Sequence, residues 1–264
     1  LHSITVHGTA QVTTQALHLC ADKGIHLHWF SSGGTHLGSF SPGPGPVQRR
    51  IRQYQALTDP GMCLKLARRT VLAKVENQLR FLLRTTRGEQ RSEQVESGIG
   101  EIRSLLKGIS PAEGVDALRG IEGAAAQVYF DLLPCVLSEG VEAELAPSGR
   151  TRRPPKDRFN AILSFGYSML YRALFESIVS VGLEPAFGYL HTPRSSAHPL
   201  VMDVMELFRV SVWDMVVVSS INRRQWDIEK DFSVTKEKVW LSDEGRKKAI
   251  VLFERRMQDK WKHP

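Results

Sequence analysis

The sequence predicts an α+β fold that is mostly α-helical, and three observations carry this prediction. Residues 1–40 hold short strand-like segments around one helix-like segment. The stretch SPGPGP at 41–46 can continue neither a strand nor a helix. From Val47 onward, apolar residues recur at helical spacing almost throughout. We therefore predict a small N-terminal β-rich domain over residues 1–45 and a larger α-helical domain over residues 46–264.

The N-terminal elements follow from short-range patterns. Residues 3–7 (SITVH) are strand-like, and residues 25–30 (IHLHWF) alternate as a half-buried strand does. Residues 12–23 have apolar positions at helical spacing. The SSGG at 31–34 suits a hairpin turn, so residues 35–40 are expected to return as a strand.

Three histidines in this region, His26, His28 and His36, could be taken for a metal cluster. Their period-two spacing instead places them on one face of the expected sheet. We expect that face to meet solvent, and a metal cluster here is the less favoured alternative.

The rest of the chain predicts a series of helices. The expected helices cover residues 47–57, residues 60–87, a segment after Pro111, residues 159–181 and a segment that begins at Ser242. The stretch 88–100 is polar and rich in Glu, Gln, Ser and Gly, so we expect a mobile connection there. The helix over 159–181 is strongly apolar and is expected to form the core of the helical domain.

Composition narrows the class of protein. The chain has 264 residues, of which 42% are hydrophobic and 24% charged, as in ordinary globular proteins. Its formal net charge of +7 favours a polyanionic partner, nucleic acid first. Three widely separated cysteines without a CxxC motif argue against a zinc knuckle or an iron–sulfur cluster and favour a reduced, cytoplasmic setting. No apolar run of transmembrane length and no signal peptide is visible, so we expect no membrane partner.

The segment 188–209 (GYLHTPRSSAHPLVMDVMELFR) carries the densest set of metal-binding side chains. His191 lies in a loop, and Asp203 and Glu206 follow at i and i+3 in an apolar, helix-like stretch, so both acids are expected on one helix face. A buried carboxylate needs a partner or a metal, and an imidazole with two acids could hold a divalent ion. Spacing alone favours the alternative of a buried helix with two structurally paired acids.

Glu122 stands among small residues, in RGIEGAAAQVYF at 119–130. Small neighbours let a ligand or a second backbone come close. The alternative is a glutamate near a helix N-terminus that is stabilised by the helix dipole. These residues alone favour neither interpretation over the other.

Three of these segments together resemble the CRISPR adaptation integrase family, the Cas-one family. The segments are 121–130 (IEGAAAQVYF), 154–171 (PPKDRFNAILSFGYSMLY) and 188–209, and their order and spacing match the family's signatures. The stretch WLSDEGRKKAI at 240–250 resembles the family's late helix, so the resemblance covers nearly the whole chain.

The chain departs from the family pattern at two positions. Arg158 stands where the family commonly has a small residue or proline, and Val210 stands where proline is common. Neither departure removes a residue of the implied site. The chain also begins inside the family's β-rich domain, which is compatible with a fusion behind a Cas-four nuclease.

The resemblance implies a metal site made by Glu122, His191 and Glu206, with Asp203 nearby, orienting His191 or binding the metal through water. The implied ion is Mg²⁺ or Mn²⁺. The implied reaction is transesterification, in which the 3′-hydroxyl of a short DNA attacks a phosphodiester of the CRISPR array. The implied partners are double-stranded DNA (prespacer and array), a Cas-two protein, a second copy of the chain as a homodimer, and a Cas-four nuclease, fused or separate. The setting would be the cytoplasm of a prokaryote.

Basic side chains are candidates for contacts with the DNA backbone, which carry little sequence information. These candidates are Arg49, Arg50, Arg68, Arg69, Arg150, Arg152, Arg153, Arg223 and Arg224. Tyr129 and Tyr167 are expected to pack or to form hydrogen bonds rather than to act as nucleophiles. Two other functions stay open: a metal-dependent nuclease for branched DNA, and a DNA-holding scaffold subunit without chemistry.

Overall fold

The computed structural model describes residues 2–31, 33–43, 46–87, 91–151, 154–191 and 198–260. The predicted fold class is confirmed: a small strand region comes first and helices follow. In chain order the helices and strands are β1 (Ser3–His7), α1 (Thr14–Asp22), β2 (His26–Phe30), β3 (His36–Phe40), α2 (Val47–Leu57), α3 (Pro60–Thr85), α4 (Glu93–Ile109), α5 (Val115–Leu132), α6 (Arg158–Ser180), α7 (Pro199–Met205), α8 (Met215–Asn222), β4 (Phe232–Val234), β5 (Val239–Leu241) and α9 (Asp243–Gln258).

The three N-terminal strands form one sheet in the order β1-β2-β3. β1 and β2 are parallel, so the chain between them must cross over, and α1 is that connection. The Thr13 hydroxyl caps α1 by accepting from the Ala16 N–H at 3.2 Å. β2 and β3 are antiparallel, with an irregular register between Trp29 and Phe30.

Two compact units divide the chain. The first comprises residues 1–63 and 171–204, and the second comprises residues 64–170 and 205–264. The predicted boundary after residue 45 falls inside the first of these units, so a domain boundary there stays a prediction.

In the first unit, apolar side chains cover both faces of the sheet. Leu27 packs with Cys20 and Ile25 on the α1 side, whereas Phe30 packs with Phe175 of α6. The expectation that the histidine face meets solvent is therefore wrong for His28, which is fully buried.

In the second unit, α4 and α5 pack closely at Gly98. A Cβ there would lie 2.7 Å from the Leu132 Cδ1, so only glycine fits without a shift of Leu132. The expected mobile stretch 88–100 is wrong from Glu93 onward, where α4 begins. The Ser92 hydroxyl caps α4, and Val95 and Ile99 bury its apolar face. Because the other face of α4 is polar, this stretch as a whole has the composition of a loop.

A π-helical segment, Arg209–Asp214, joins the turn after α7 to α8. Such segments are rare and frequently lie at functional sites. Trp213 in this segment packs against Gly166 of α6 and donates from Nε1 to the Ile162 carbonyl at 3.1 Å. The segment is thereby fixed to α6 inside the second unit.

No helix in the described ranges has the length and apolar character needed to cross a membrane.

Candidate metal centre

Three charged side chains of the second unit meet in its interior. α3 places Lys74 among buried positions of the same helix, Val71 and Val75, and the Lys74 side chain is only 7% exposed. Glu122 comes from α5, and Glu206 from the turn after α7. The Lys74 Nζ contacts Glu122 Oε1 and Glu206 Oε2, so one ammonium joins both carboxylates.

The pairing of Lys74 with two acids explains how these groups tolerate burial. The side chains of Glu206 and Glu122 are 3% and 22% exposed. Burying a charge without a partner costs far more free energy than burying a paired one. Each acid therefore depends on the cation beside it.

A second cation, Arg209, lies beside Glu206. The other oxygen of Glu206, Oε1, forms a salt bridge with the Arg209 Nη2 at 3.1 Å. The Arg209 guanidinium lies over the Tyr167 ring, 4.7 Å from its centroid. Burial alone would lower the pKa of Arg209, but the Glu206 carboxylate and other nearby acidic groups raise it. Arg209 is therefore a fixed positive charge next to Glu206.

Asp214 is the last member of a buried charged network that comprises Glu122, Lys74, Glu206, Arg209 and Asp214. Its Oδ2 accepts from the Tyr129 hydroxyl at 3.0 Å, and its Oδ1 accepts from the Tyr167 hydroxyl at 2.6 Å. Complete burial raises the pKa of Asp214 to about 6, and the two tyrosine hydrogen bonds oppose that rise. Burial, and then the Asp214 charge, also raises the pKa of both tyrosines well above the ordinary value. The expected hydrogen-bonding role of Tyr129 and Tyr167 agrees with these contacts.

In the first unit, Asp203 organises the loop that carries His191. Asp203 is fully buried, and its Oδ2 accepts from the backbone N–H groups of Tyr189 at 2.6 Å and Leu190 at 3.0 Å. Its Oδ1 accepts from the His191 backbone N–H at 2.9 Å and lies 2.6 Å from the His191 Nδ1. Because a carboxylate oxygen accepts, Nδ1 donates and the Nε2 lone pair is left for another ligand.

Gly188 is needed for this close approach. A Cβ at position 188 would lie 2.6 Å from Asp203 Oδ2 and 2.7 Å from the Pro199 carbonyl carbon. A side chain there would therefore push the loop away from the carboxylate that fixes it.

The two acids of the 188–209 segment have different surroundings. The sequence predicts that Asp203 and Glu206 project together from one helix, but α7 ends at Met205 and Glu206 lies in the turn that follows. Asp203 binds loop backbone and His191, whereas Glu206 contacts Lys74 and Arg209. The i, i+3 spacing therefore did not predict the local contacts.

Within the part of the chain that the structure describes, no three His, Cys, Asp or Glu side chains form a ready metal-binding group. The donor set nevertheless fits a divalent cation in chemical terms. Glu122 and Glu206 already hold one positive charge between them. Carboxylate oxygens are ligands that Mg²⁺ and Mn²⁺ accept.

Three of the candidate DNA-binding arginines bind the protein itself. Arg49 donates to the Val181 carbonyl. Arg68 donates to the carbonyl of Ile109, the last residue of α4, at 3.3 Å and to that of Ala112, in the turn that follows, at 2.8 Å. Arg150 donates to Asn160 Oδ1 at 2.7 Å and lies over the rings of Phe130 and Tyr167. These three guanidinium groups therefore have structural roles, whatever they bind in addition.

The other candidate arginines are distributed differently. Arg69, Arg223 and Arg224 are exposed, and Arg50 is partly exposed. Arg152 and Arg153 lie outside the described residues. A role in DNA binding stays a prediction for all nine positions.

Sequence reasoning missed three members of the charged network: Lys74, Arg209 and Asp214. A usable signal existed for Lys74, since it falls three residues after Val71 and one before Val75, inside the buried stripe of α3. A similar signal existed for Asp214, because it interrupts the apolar run over residues 210–218.

Comparisons with known proteins identify the family. The family described as CRISPR associated protein Cas1 matches residues 1–255. A "CRISPR-associated exonuclease Cas4/endonuclease Cas1 fusion" of Leptospira interrogans is 51% identical over 265 residues, which is 100% of this chain and 49% of that protein. The chain thus spans about half the length of the first curated relatives that it matches.

Solved structures agree with this match. A Cas1 protein from Thermotoga maritima is 27% identical, with a TM-score of 0.80 over 97% of this chain and 79% of that one. A chain of a "Cas6-RT-Cas1--Cas2 complex" is 26% identical, with a TM-score of 0.81 over 100% of this chain and 29% of that one. Sequence and fold therefore lead to one conclusion: the chain belongs to the Cas1 family of CRISPR-associated proteins.

Proposed function

We propose that this chain is a metal-dependent DNA integrase and endonuclease of CRISPR spacer acquisition. It would join the 3′-hydroxyl ends of short DNA to phosphodiesters of the CRISPR array by transesterification. Membership of the Cas1 family and the endonuclease name of its relatives support the reaction class. The observation that carries the metal dependence is the convergence of Glu122 and Glu206 on a single cation inside the second unit.

We propose Glu122, His191 and Glu206 as the ligands of Mg²⁺ or Mn²⁺. When bound, the ion would supply Lewis-acid activation of the attacking hydroxyl and stabilise charge on the transferring phosphate. The residues of the chain have separate tasks. Glu122 and Glu206 supply negative charge, and His191 supplies Nε2 because its Nδ1 is engaged by Asp203. Asp203 holds the His191 loop through three backbone N–H groups.

The Arg209–Asp214 segment would keep Glu206 in place during the reaction. Arg209 forms a salt bridge with Glu206, and its guanidinium group stacks on the Tyr167 ring. A carboxylate that is held by a buried cation loses little freedom when a metal binds. Preorganisation of this kind lowers the cost of forming the charged site.

We propose double-stranded DNA as the substrate, as both prespacer and array. The net charge of +7 and the exposed arginines Arg69, Arg223 and Arg224 support a polyanionic partner. The proposed protein partners are Cas2, a second copy of this chain, and a Cas4 nuclease in the same or a separate polypeptide. The names of the similar complex and of the fusion relative support Cas2 and Cas4.

An integration assay tests this proposal. Purified protein is mixed with its Cas2 partner, short DNA with free 3′-hydroxyl ends, a supercoiled array plasmid and Mn²⁺ or Mg²⁺. We expect joined product that a chelator removes and that His191→Ala lowers roughly a hundredfold or more. His18→Ala, at an exposed position of α1, is the matched control and should join DNA like the wild type.

Two other results would overturn the proposal. Metal-dependent cutting of branched DNA without joining, and without any need for Cas2, would make the chain a nuclease. DNA binding without cutting or joining, unchanged by His191→Ala, would make it a scaffold subunit.

A further inference from the structure

Lys74 is not a proposed metal ligand, although it contacts two of the three residues that are. Its ammonium contacts one oxygen of Glu122 and one oxygen of Glu206. α3 supplies this lysine from a buried stripe that includes Val71, Val75 and Leu82. A charged residue in such a stripe is rarely favourable for stability alone, because a well-packed apolar residue often serves as well or better.

The reason for a lysine at position 74 lies in the two acids. Without a nearby cation, Glu122 and Glu206 would repel each other, and Glu206, whose side chain is 3% exposed, would lose its ion pair with Lys74. An apolar residue at 74 would leave this repulsion in place. The lysine is therefore useful only in a protein that must keep both acids.

A divalent ion bound to the same two carboxylates would compete with this ammonium. The ammonium and the divalent ion would repel each other if both bound the same oxygens, so Lys74 cannot keep its present contacts once the ion is bound. The lysine side chain has a flexible four-carbon stem, so its ammonium can move away from the two carboxylates while α3 stays in place.

We propose that Lys74 is a positioning residue that acts as the internal counter-ion of the metal centre. It holds Glu122 and Glu206 together in the metal-free protein and gives way when Mg²⁺ or Mn²⁺ binds. This inference rests on the proposed function for the identity of the metal. It adds that the affinity for metal is set by competition with a residue of the chain itself.

Two measurable consequences follow. Removal of the Lys74 charge lowers the stability of the metal-free protein, because the two acids lose their shared cation. The same change raises the affinity for metal, because the ion no longer displaces an ammonium. A lysine with a purely structural role would lower stability with and without metal and leave the affinity unchanged.

The experiment compares the wild type with Lys74→Met and Lys65→Met. Lys65 lies on the same helix but is exposed, so its variant is the matched control. Thermal melting is recorded across a Mn²⁺ titration, and bound Mn²⁺ is counted by electron paramagnetic resonance. We expect Lys74→Met to melt several degrees lower without metal, to gain more from Mn²⁺, and to bind it roughly tenfold more tightly. Lys65→Met should follow the wild type in all three.

The outcomes separate the two proposals. A wild type that binds no Mn²⁺ would overturn the metal centre itself. A wild type that binds Mn²⁺, together with a Lys74→Met variant that binds it no more tightly, would overturn only the counter-ion role.

A second measurement uses the wild type alone and therefore does not depend on the folding of the variant. An amine-acylating reagent is applied with and without Mg²⁺, and mass spectrometry gives the modification rate of each lysine. We expect Mg²⁺ to raise the rate at Lys74 several-fold relative to the rate at Lys65. An unchanged ratio in a protein that binds metal would overturn the displacement of Lys74.

Discussion

The two units of the molecule bury polar groups in opposite ways. The first unit places three imidazoles around Phe175: His28 is fully buried, and His36 and His198 are partly exposed. The second unit buries full charges in alternation, from Glu122 through Lys74, Glu206 and Arg209 to Asp214. His28 in the first unit is a buried group that stays neutral, whereas the second unit depends on buried charges that stay paired.

The pKa values express this difference. Burial lowers the pKa of His28 to about 4 and lowers those of His36 and His198 as well. In the second unit, burial raises the pKa of Asp214 to about 6. Lowering the pH should therefore destabilise the first unit through His28 and stabilise the second through Asp214.

The largest expected effect comes from Asp203, the exception in the first unit because it is a fully buried carboxylate. Asp203→Ala leaves three backbone N–H groups and the His191 Nδ1 without their acceptor. We expect the free energy of unfolding to fall by roughly 3–5 kcal/mol. Urea denaturation measures this change, with Asp22→Ala at an exposed position as the control.

A loss below about 1 kcal/mol would contradict this account of the loop. The loss of stability for Asp203→Asn should be smaller than that for Asp203→Ala and larger than that for the Asp22→Ala control, because the amide oxygen still accepts hydrogen bonds. Its amide nitrogen, however, would meet the donors of the loop.

The next effect tests the neutral interior of the first unit. The pKa of His28 is about 4 in the folded protein and 6.5 when unfolded, so the unfolded chain binds more protons between these values. The stability that neutral His28 contributes is present above pH 6.5 and is lost as the pH falls, by about 2 kcal/mol at pH 5. Hydrogen exchange of the β2 amides at pH 7 and pH 5, corrected for the intrinsic exchange rate, measures it.

His28→Gln is the matched variant for this test. Glutamine can still bond with the Ser39 hydroxyl, which lies 2.8 Å from the His28 Nδ1, but it does not titrate. We expect its β2 protection to change less with pH than that of the wild type. Equal pH dependence in both proteins would remove His28 as the cause.

His28 also shows where sequence reasoning fails. Alternation along β2 correctly predicts a strand, but the prediction that its histidine face meets solvent is wrong at His28. That assignment holds only for a sheet with one covered face, and here Leu27 and Phe30 belong to separate apolar clusters on opposite faces. Period two tells which side chains share a face, but only tertiary packing tells whether that face is buried.

The candidate site was predictable to a different degree. Family resemblance named Glu122, His191, Asp203 and Glu206, and the spacing of Asp203 and Glu206 suggested one helix. The contacts of these side chains could not be predicted from spacing, because α7 ends at Met205 and Glu206 therefore does not share a helix face with Asp203. Lys74 was hidden for a simpler reason: a lysine in a helix of basic character looks like one more solvated charge.

The smallest expected effect has the opposite sign and lies in the second unit. The pKa of Asp214 is about 6 in the folded protein and 3.8 when unfolded, so here the folded state binds more protons between these values. The stability linked to protonated Asp214 is fully present below pH 3.8 and is lost as the pH rises through 6. From neutral pH down to pH 5, this group should add about 1 kcal/mol.

Hydrogen exchange of the α5 amides at the same two pH values measures the Asp214 effect. Asp214→Asn removes the titration but keeps an oxygen that can accept from Tyr129 or Tyr167. We expect α5 to gain protection from acid in the wild type but not in the variant, while β2 loses it in both. If β2 and α5 instead lost protection together at pH 5, acid would be acting on the protein as a whole. The contrast between a neutral and a charge-paired interior would then not govern how this protein responds to pH.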